Sequence, residues 1–200
     1  FNQSKHISSG EGGMLITDDA DINEVAMAVR NHGEVSAPEL GIFGYNYRLS
    51  EIHAAIALEQ FKQLDKLNAH RIMLADYLTD RLSRIDGLIP PTVYPNCKHV
   101  YYTYAVKFNK DIIGMSRDEF QRQMIEKGVY FGNPGGGYVK PLYLLPVFQK
   151  VNPELYKEGY CPVAERLWKE ELCVTDIVRY PYTLKDMKEI VKTVEDVLGK

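Results

Sequence analysis

Phe1-Asn2-Gln3-Ser4-Lys5-His6-Ile7-Ser8-Ser9-Gly10-Glu11-Gly12-Gly13 opens the chain and decides how the rest is read. Lys5 stands just ahead of a Gly-Glu-Gly-Gly turn, and Met14-Leu15-Ile16-Thr17 then reads as a short strand. A free lysine amine has a pKa of ~10.4 and is a poor nucleophile at neutral pH. Bound as an imine to an aldehyde it is held covalently, yet it exchanges with an incoming amine. Once displaced, it can move a proton as a positioned base. Neighbouring glycines let the backbone come close to a bulky ring. A lysine so placed would suit a Schiff base, and amino-group transfer is then the expected chemistry. On this stretch alone the plainer reading, an exposed loop lysine beside a tight turn, stays open.

A second element is Gly44-Tyr45-Asn46-Tyr47-Arg48-Leu49-Ser50-Glu51, leading into a helix. An amide and a guanidinium ahead of a helix N-terminus suit an anion, because the helix offers free N–H groups and Arg48 can grip in bidentate fashion. A polar loop, with Asn46 satisfying turn backbone and Arg48 solvated, fits these residues equally.

Bulk composition bounds the alternatives. Two hundred residues with 45% hydrophobic and 26% charged side chains fit one globular domain, or a small domain plus part of another. Lys+Arg 24 against Asp+Glu 27 concentrates no basic patch, which argues against a nucleic-acid or acidic-membrane partner. Cys97, Cys161 and Cys173 are odd in number and lack C-x-x-C spacing, so neither a disulfide framework nor a zinc knuckle is expected, and a reducing cytoplasm is. His32 and His53 have no partners at ligand spacing, and no metal is assigned. No apolar run approaches the ~20 residues of a membrane span, and no secretory leader is visible. Because the chain begins with Phe1 inside a motif-like segment, we expect a fragment, or a chain whose upstream part was not included.

Periodicity predicts a helix over 19–31 ending at Gly33 as a left-handed cap, then a loop over 34–47. Ser50 should cap a helix from Glu51 to Leu64 with Ile52, Ala55, Ile56 and Ala57 on its apolar side. A helix over about 66–85 should bury Leu67, Leu74, Leu78, Leu82 and Ile85. A change in composition places a domain boundary near Asp65, giving units 1–64 and 65–200. Beyond it, Val100 to Phe108 reads as a strand, Ser116 and Glu119 as a capping box opening a helix to Lys127, and Val129 to Phe131 as a candidate strand. A long loop follows, carrying Pro134 and Gly135-Gly136-Gly137-Tyr138, which suits either a lid or an idle surface loop. Pro162 should start a helix through Trp168 to Glu171. Thr183 should cap a last helix with Leu184, Met187, Ile190, Val191, Val194 and Val197 in one stripe.

Lys5 with Gly10-Glu11-Gly12-Gly13, then Arg30-Asn31-His32-Gly33, then Gly44-Tyr45-Asn46-Tyr47-Arg48, in this order and spacing, resembles the DegT/DnrJ/StrS sugar aminotransferases. The resemblance implies an α/β chain: the C-terminal part of a fold-type I, aspartate-aminotransferase-like, pyridoxal phosphate enzyme. Residues 1–64 would end its large domain and 65–200 form a small α+β domain. It further implies that Lys5 forms the internal aldimine. Asn46 would reach across a homodimer to the neighbour's cofactor phosphate, and Arg48 would lie by the same shared site facing the amino donor's carboxylate. Glutamate, sometimes glutamine, would aminate a keto-sugar, usually nucleotide-linked. Where many relatives carry Pro-Leu-His near substrate, this chain has Pro141-Leu142-Tyr143, which makes Tyr143 a candidate substrate contact. Two alternatives remain. A sugar dehydratase of the same family would carry histidine in place of Lys5. A non-catalytic C-terminal module would bind no cofactor alone.

Overall fold

The computed structural model describes residues 1–34, 41–132 and 140–200. Pro38 and the Pro134, Gly135–Tyr138 stretch lie outside them. The chain divides into two compact units, Phe1–Lys66 and Leu67–Lys200.

In the first unit, helix α1 (Ala20–Arg30) starts where Asp19 accepts hydrogen bonds from the Asp21 and Ile22 amides. It ends in a left-handed turn in which the Gly33 amide, at φ +75°, donates to the Ala28 carbonyl at 2.8 Å. Gly44 packs backbone to backbone on that turn: a Cβ there would sit 2.0 Å from the Gly33 nitrogen, so only glycine fits. Helix α2 (Glu51–Phe61) is capped by Ser50, as its sequence predicts, but it is shorter and none of its residues is buried. Ile52 and Ile56, expected on a buried side, are exposed. Residues 14–17 have no ladder partner among the described residues, and Met14, Leu15 and Ile16 are 75%, 63% and 86% exposed. The strand expected there has the right side chains, but a strand is completed by its neighbour.

The second unit holds the core. Helix α3 (Leu64–Leu82) buries Leu74, Leu78 and Leu82 at four-residue spacing, and Ile85 is buried just past its end. Strands β1 (Leu88–Ile89), β2 (Tyr104–Phe108) and β3 (Leu172–Thr175) form an antiparallel sheet in the order β1-β2-β3, with Leu88 opposite Phe108 and Tyr104 opposite Thr175. Alternation along β2 buries Tyr104, Val106 and Phe108 on one face. The buried Tyr104 hydroxyl meets the Thr79 hydroxyl at 2.9 Å, and burial pushes the phenol's pKa up. Helices α4 (Lys110–Ile113) and α5 (Arg117–Glu126) follow; the Ser116 hydroxyl accepts from the Glu119 amide at 3.2 Å, and α5 adds Phe120 and Met124 to the core. Short helices α6 (Pro146–Val151) and α7 (Pro162–Arg166) lead through a π turn at Leu167–Glu171 into β3. Helix α8 (Leu184–Leu198) buries Met187, Ile190, Val191, Val194 and Val197, the predicted stripe apart from the partly exposed Leu184.

Two sequence expectations change here, and two strands appear that the sequence did not announce. The strand expected over Val100 to Phe108 begins only at Tyr104, because Tyr101 turns to φ +49° and gives its carbonyl to the buried Arg71 at 3.0 Å. Strands β1 and β3 are too short for a periodic signal. Val129 to Phe131 form no strand; only the neighbouring Gly132 bridges to Val174. One buried cation has a structural task. Arg117, 3% exposed, donates to the Trp168 carbonyl at 2.6 Å and the Lys169 carbonyl at 2.7 Å, closing the C-terminal end of the π turn.

Candidate functional site

The Lys5 turn is built from its own hydrogen bonds. Lys5 N–H donates to the Asn2 carbonyl at 3.0 Å, Asn2 Nδ2 donates to Glu11 Oε1 at 2.7 Å, and the buried Ser9 hydroxyl donates to the Glu11 carbonyl at 3.0 Å. Glu11 is thereby a turn-holding carboxylate. Lys5 itself is exposed. At Gly12, φ +135°, a Cβ would come 2.8 Å from Leu49 Cδ1, so the turn seats on the segment that carries Arg48.

That segment is zipped to the end of α1. Tyr45 N–H donates to the Val29 carbonyl at 2.7 Å, Tyr47 N–H to Arg30 at 2.9 Å, and His32 N–H to Tyr45 at 3.0 Å. Tyr45 and Tyr47 stack with ring centroids 5.0 Å apart. Alternation in an extended segment turns Asn46 and Arg48 to the other side. Arg48 Nη1 donates to Asn31 Oδ1 at 2.6 Å, and Asn46 is exposed. Arg48 is thus anchored by the Arg30-Asn31-His32-Gly33 motif rather than simply solvated. All three sequence motifs meet in this unit, although they are separated along the chain. Beside them lies a groove of about 920 Å³, walled by apolar residues such as Leu15, Ile22 and Val25, with Arg30 and Arg48 among its lining.

His53, which has no partners at metal-ligand spacing, belongs to this neighbourhood. Its ring meets the Ser50 hydroxyl at 2.9 Å through Nδ1 and lies 3.7 Å from where a Gly10 Cβ would stand. Its place in the first turn of a capped helix was visible in the sequence; its approach to Gly10 was not, because that contact spans more than forty positions.

Tyr143 lies in the second unit. Its hydroxyl donates to Glu165 Oε1 at 2.6 Å, and the same carboxylate oxygen accepts from the Gly159 amide at 2.8 Å. Desolvation and then the carboxylate push the Tyr143 phenol up to about 12, while the tyrosine bond holds Glu165 below the usual carboxylate range. Cys173 is buried, and burial pushes its thiol up to about 12, so it is inert. Among the described residues no cluster of three or more His, Cys, Asp or Glu could hold a metal, and no helix is long and apolar enough to cross a membrane.

Comparison with known proteins places these features. The model of the DegT/DnrJ/EryC1/StrS aminotransferase family matches residues 1–195. A pleiotropic regulatory protein of Geobacillus stearothermophilus is 34% identical over 86% of this chain and 44% of its own length. The L-glutamine:scyllo-inosose aminotransferase of Streptomyces griseus is 37% identical over 56% of this chain and 30% of its own length. Among solved structures, the aminotransferase TlmJ from Streptoalloteichus hindustanus superposes with a TM-score of 0.74 at 26% identity, covering 98% of this chain and 50% of that one. The chain therefore has the fold of the corresponding part of a fold-type I aminotransferase, and it spans about half the length of the curated relatives it matches.

Proposed function

Since the chain belongs to the DegT/DnrJ/EryC1/StrS aminotransferase family, we propose that the full-length protein moves an amino group from glutamate or glutamine to a keto-sugar, using pyridoxal phosphate carried on Lys5. The observation that carries this reading is the convergence of the Lys5 turn, the Arg30–Gly33 turn and the Gly44–Arg48 segment in one unit. What these residues offer fits the cofactor: an exposed amine on a turn fixed by hydrogen bonds, an exposed amide at Asn46, and a guanidinium anchored on one edge. When bound, the cofactor supplies the electron sink for the transfer.

The residues divide the remaining work. Lys5 holds the cofactor and, when released from it, moves a proton at the substrate carbon with its amine. Asn46 contacts the cofactor phosphate of a neighbouring subunit in a homodimer that shares its sites. Arg48, with Nη1 on Asn31, offers its other N–H groups to the carboxylate of the amino donor. Tyr143 contacts the sugar. The nucleotide-linked ketone expected from the sequence remains our first reading of the acceptor. The relative named for scyllo-inosose makes a free cyclic ketone the second candidate and favours glutamine as donor. Residues 1–64 are read as the end of the cofactor domain and 65–200 as the small domain, in a cytoplasmic enzyme.

Borohydride reduction of the full-length holoprotein, followed by digestion, tests the assignment. The pyridoxyl label is expected on the peptide carrying Lys5, and Lys5→Ala should remove both the visible cofactor band and transamination. Label on another lysine, or none, would end it.

A further inference from the structure

The second unit contains a carboxylate that no reading so far has used. Glu165, on α7, is 6% exposed and lies at the centre of a closed set of donors. Tyr143 Oη donates to Oε1 at 2.6 Å, and the Gly159 amide reaches Oε1 at 2.8 Å and Oε2 at 3.1 Å. The Cys161 backbone amide faces both Glu165 and the Tyr143 oxygen. Lys169, paired with Glu158, adds a more distant positive charge. The Tyr143 ring is held edge-on by Tyr160 at 5.3 Å. Glu165 therefore ties together three points of chain spread over 143–161.

Such a bond has a chemical consequence beyond order. A phenol has one proton to give and lone pairs to receive. An ionised carboxylate can only accept, so the phenol keeps its proton, donates it to Oε1 as a hydrogen bond, and the direction of the bond is fixed. The phenol oxygen is left to accept from whatever meets the half-buried ring from outside. Tyrosine at this position would ordinarily be expected to donate to a ligand. Here it is turned into an acceptor.

We propose that Glu165 is a positioning residue that sets the polarity of Tyr143, so that the sugar contact made by Tyr143 is a hydroxyl of the substrate donating to its oxygen. This rests on the preceding reading that the protein aminates a keto-sugar and that Tyr143 meets it. The closing experiment separates the two.

The full-length holoprotein is compared with Tyr143→Phe, Glu165→Gln and the double variant. In tyrosine-Cζ ¹³C NMR at a pH of about 10, where an ordinary tyrosine is half ionised, the Tyr143 signal of wild type should stay neutral. In Glu165→Gln it should titrate at lower pH than in wild type, with desolvation still holding it above the ordinary value. Kinetics then use glutamine with scyllo-inosose, its monofluoro analogues and a TDP-linked 4-keto sugar as acceptor probes. Each single variant should raise KM about tenfold with kcat little changed, and the double should be no worse than either, because both remove one bond. One fluoro analogue, which has lost the donating hydroxyl, should show no further penalty from Tyr143→Phe. An ordinary titration of Tyr143 in wild type overturns the proposal. So does a Tyr143→Phe penalty undiminished on every fluoro analogue, or an additive double variant. Failure of wild type to aminate either ketone overturns the substrate reading, and the sugar contact falls with it. The ionisation of Tyr143 then still decides whether Glu165 holds its proton.

Discussion

The two units have similar proportions of apolar residues and spend them differently. Among the described residues, the contiguous core of 21 buried side chains, from Leu74 to Val197, belongs wholly to the second unit. In the first, Ala28 and Ser9 are buried among the described residues, while Met14, Leu15, Ile16, Phe43, Ile52, Leu58 and Phe61 face outward. Helix α2 is apolar around most of its circumference and buries none of it. A helix of that kind is normally enclosed on all sides. Contiguous apolar exposure on this scale is uncommon on an isolated domain. The first unit carries the three motifs; the second carries its own stability.

That contrast is broken most directly by separation. Residues 63–200, expressed alone, should give a cooperative thermal transition and a dispersed amide spectrum. Residues 1–66 alone should give neither, and should associate. Cooperative melting of the first unit by itself would show that its motif network, not its apolar surface, holds it together.

Point substitutions sharpen the comparison on a smaller scale. Leu78→Ala in the second core should cost about 2–5 kcal/mol, the transfer of the lost methyl groups plus the cavity they leave. Ile56→Ala, on α2, should change the stability of the 200-residue chain by less than about 0.5 kcal/mol, since the side chain is already half in water and alanine favours helix. Denaturant titration of both variants reads the difference. A cost at Ile56 comparable to that at Leu78 would mean that α2 is covered in solution, and the contrast would then belong to the chain in isolation rather than to the protein.

The same physics explains what the sequence could disclose. Capped, one-sided helices were legible: Ser116 opens α5 and the valine stripe of α8 is buried as its spacing requires. Leu74, Leu78 and Leu82 likewise fall where a 3.6-residue period puts them. In α2, periodicity suggested a buried side, but which side a helix buries depends on a partner that the helix does not name. Short strands β1 and β3 were invisible because two and four residues cannot display an alternation. At the candidate site, the residue types and their order were readable, and so was the likeness they carry. The pairing of Arg48 with Asn31, the seat of Gly12 on Leu49 and the bond from Tyr143 to Glu165 were not. Each joins positions 17 or more apart through side chains whose neighbours only folding selects.

A subtler effect, read through its pH dependence, lies at the start of α8 and places part of the acid sensitivity in the second unit. Thr183 donates to Asp186 Oδ2 twice, from its amide at 2.7 Å and from its hydroxyl at 2.6 Å. These bonds hold the Asp186 carboxyl below its ordinary value, the hydroxyl contributing most. A carboxyl whose folded pKa is depressed binds its proton more readily when unfolded. Its stabilisation is therefore complete above the unfolded value of ~3.9 and is lost as pH falls through the folded one. Thr183→Ala should destabilise the second unit at neutral pH, and the gap between variant and wild type should narrow as pH drops below about 4. Urea titrations of residues 63–200 across that range provide the measurement. A gap that stays constant into acid would mean that Thr183 acts through the backbone of the first turn alone, and that the carboxylate contributes nothing to holding the helix.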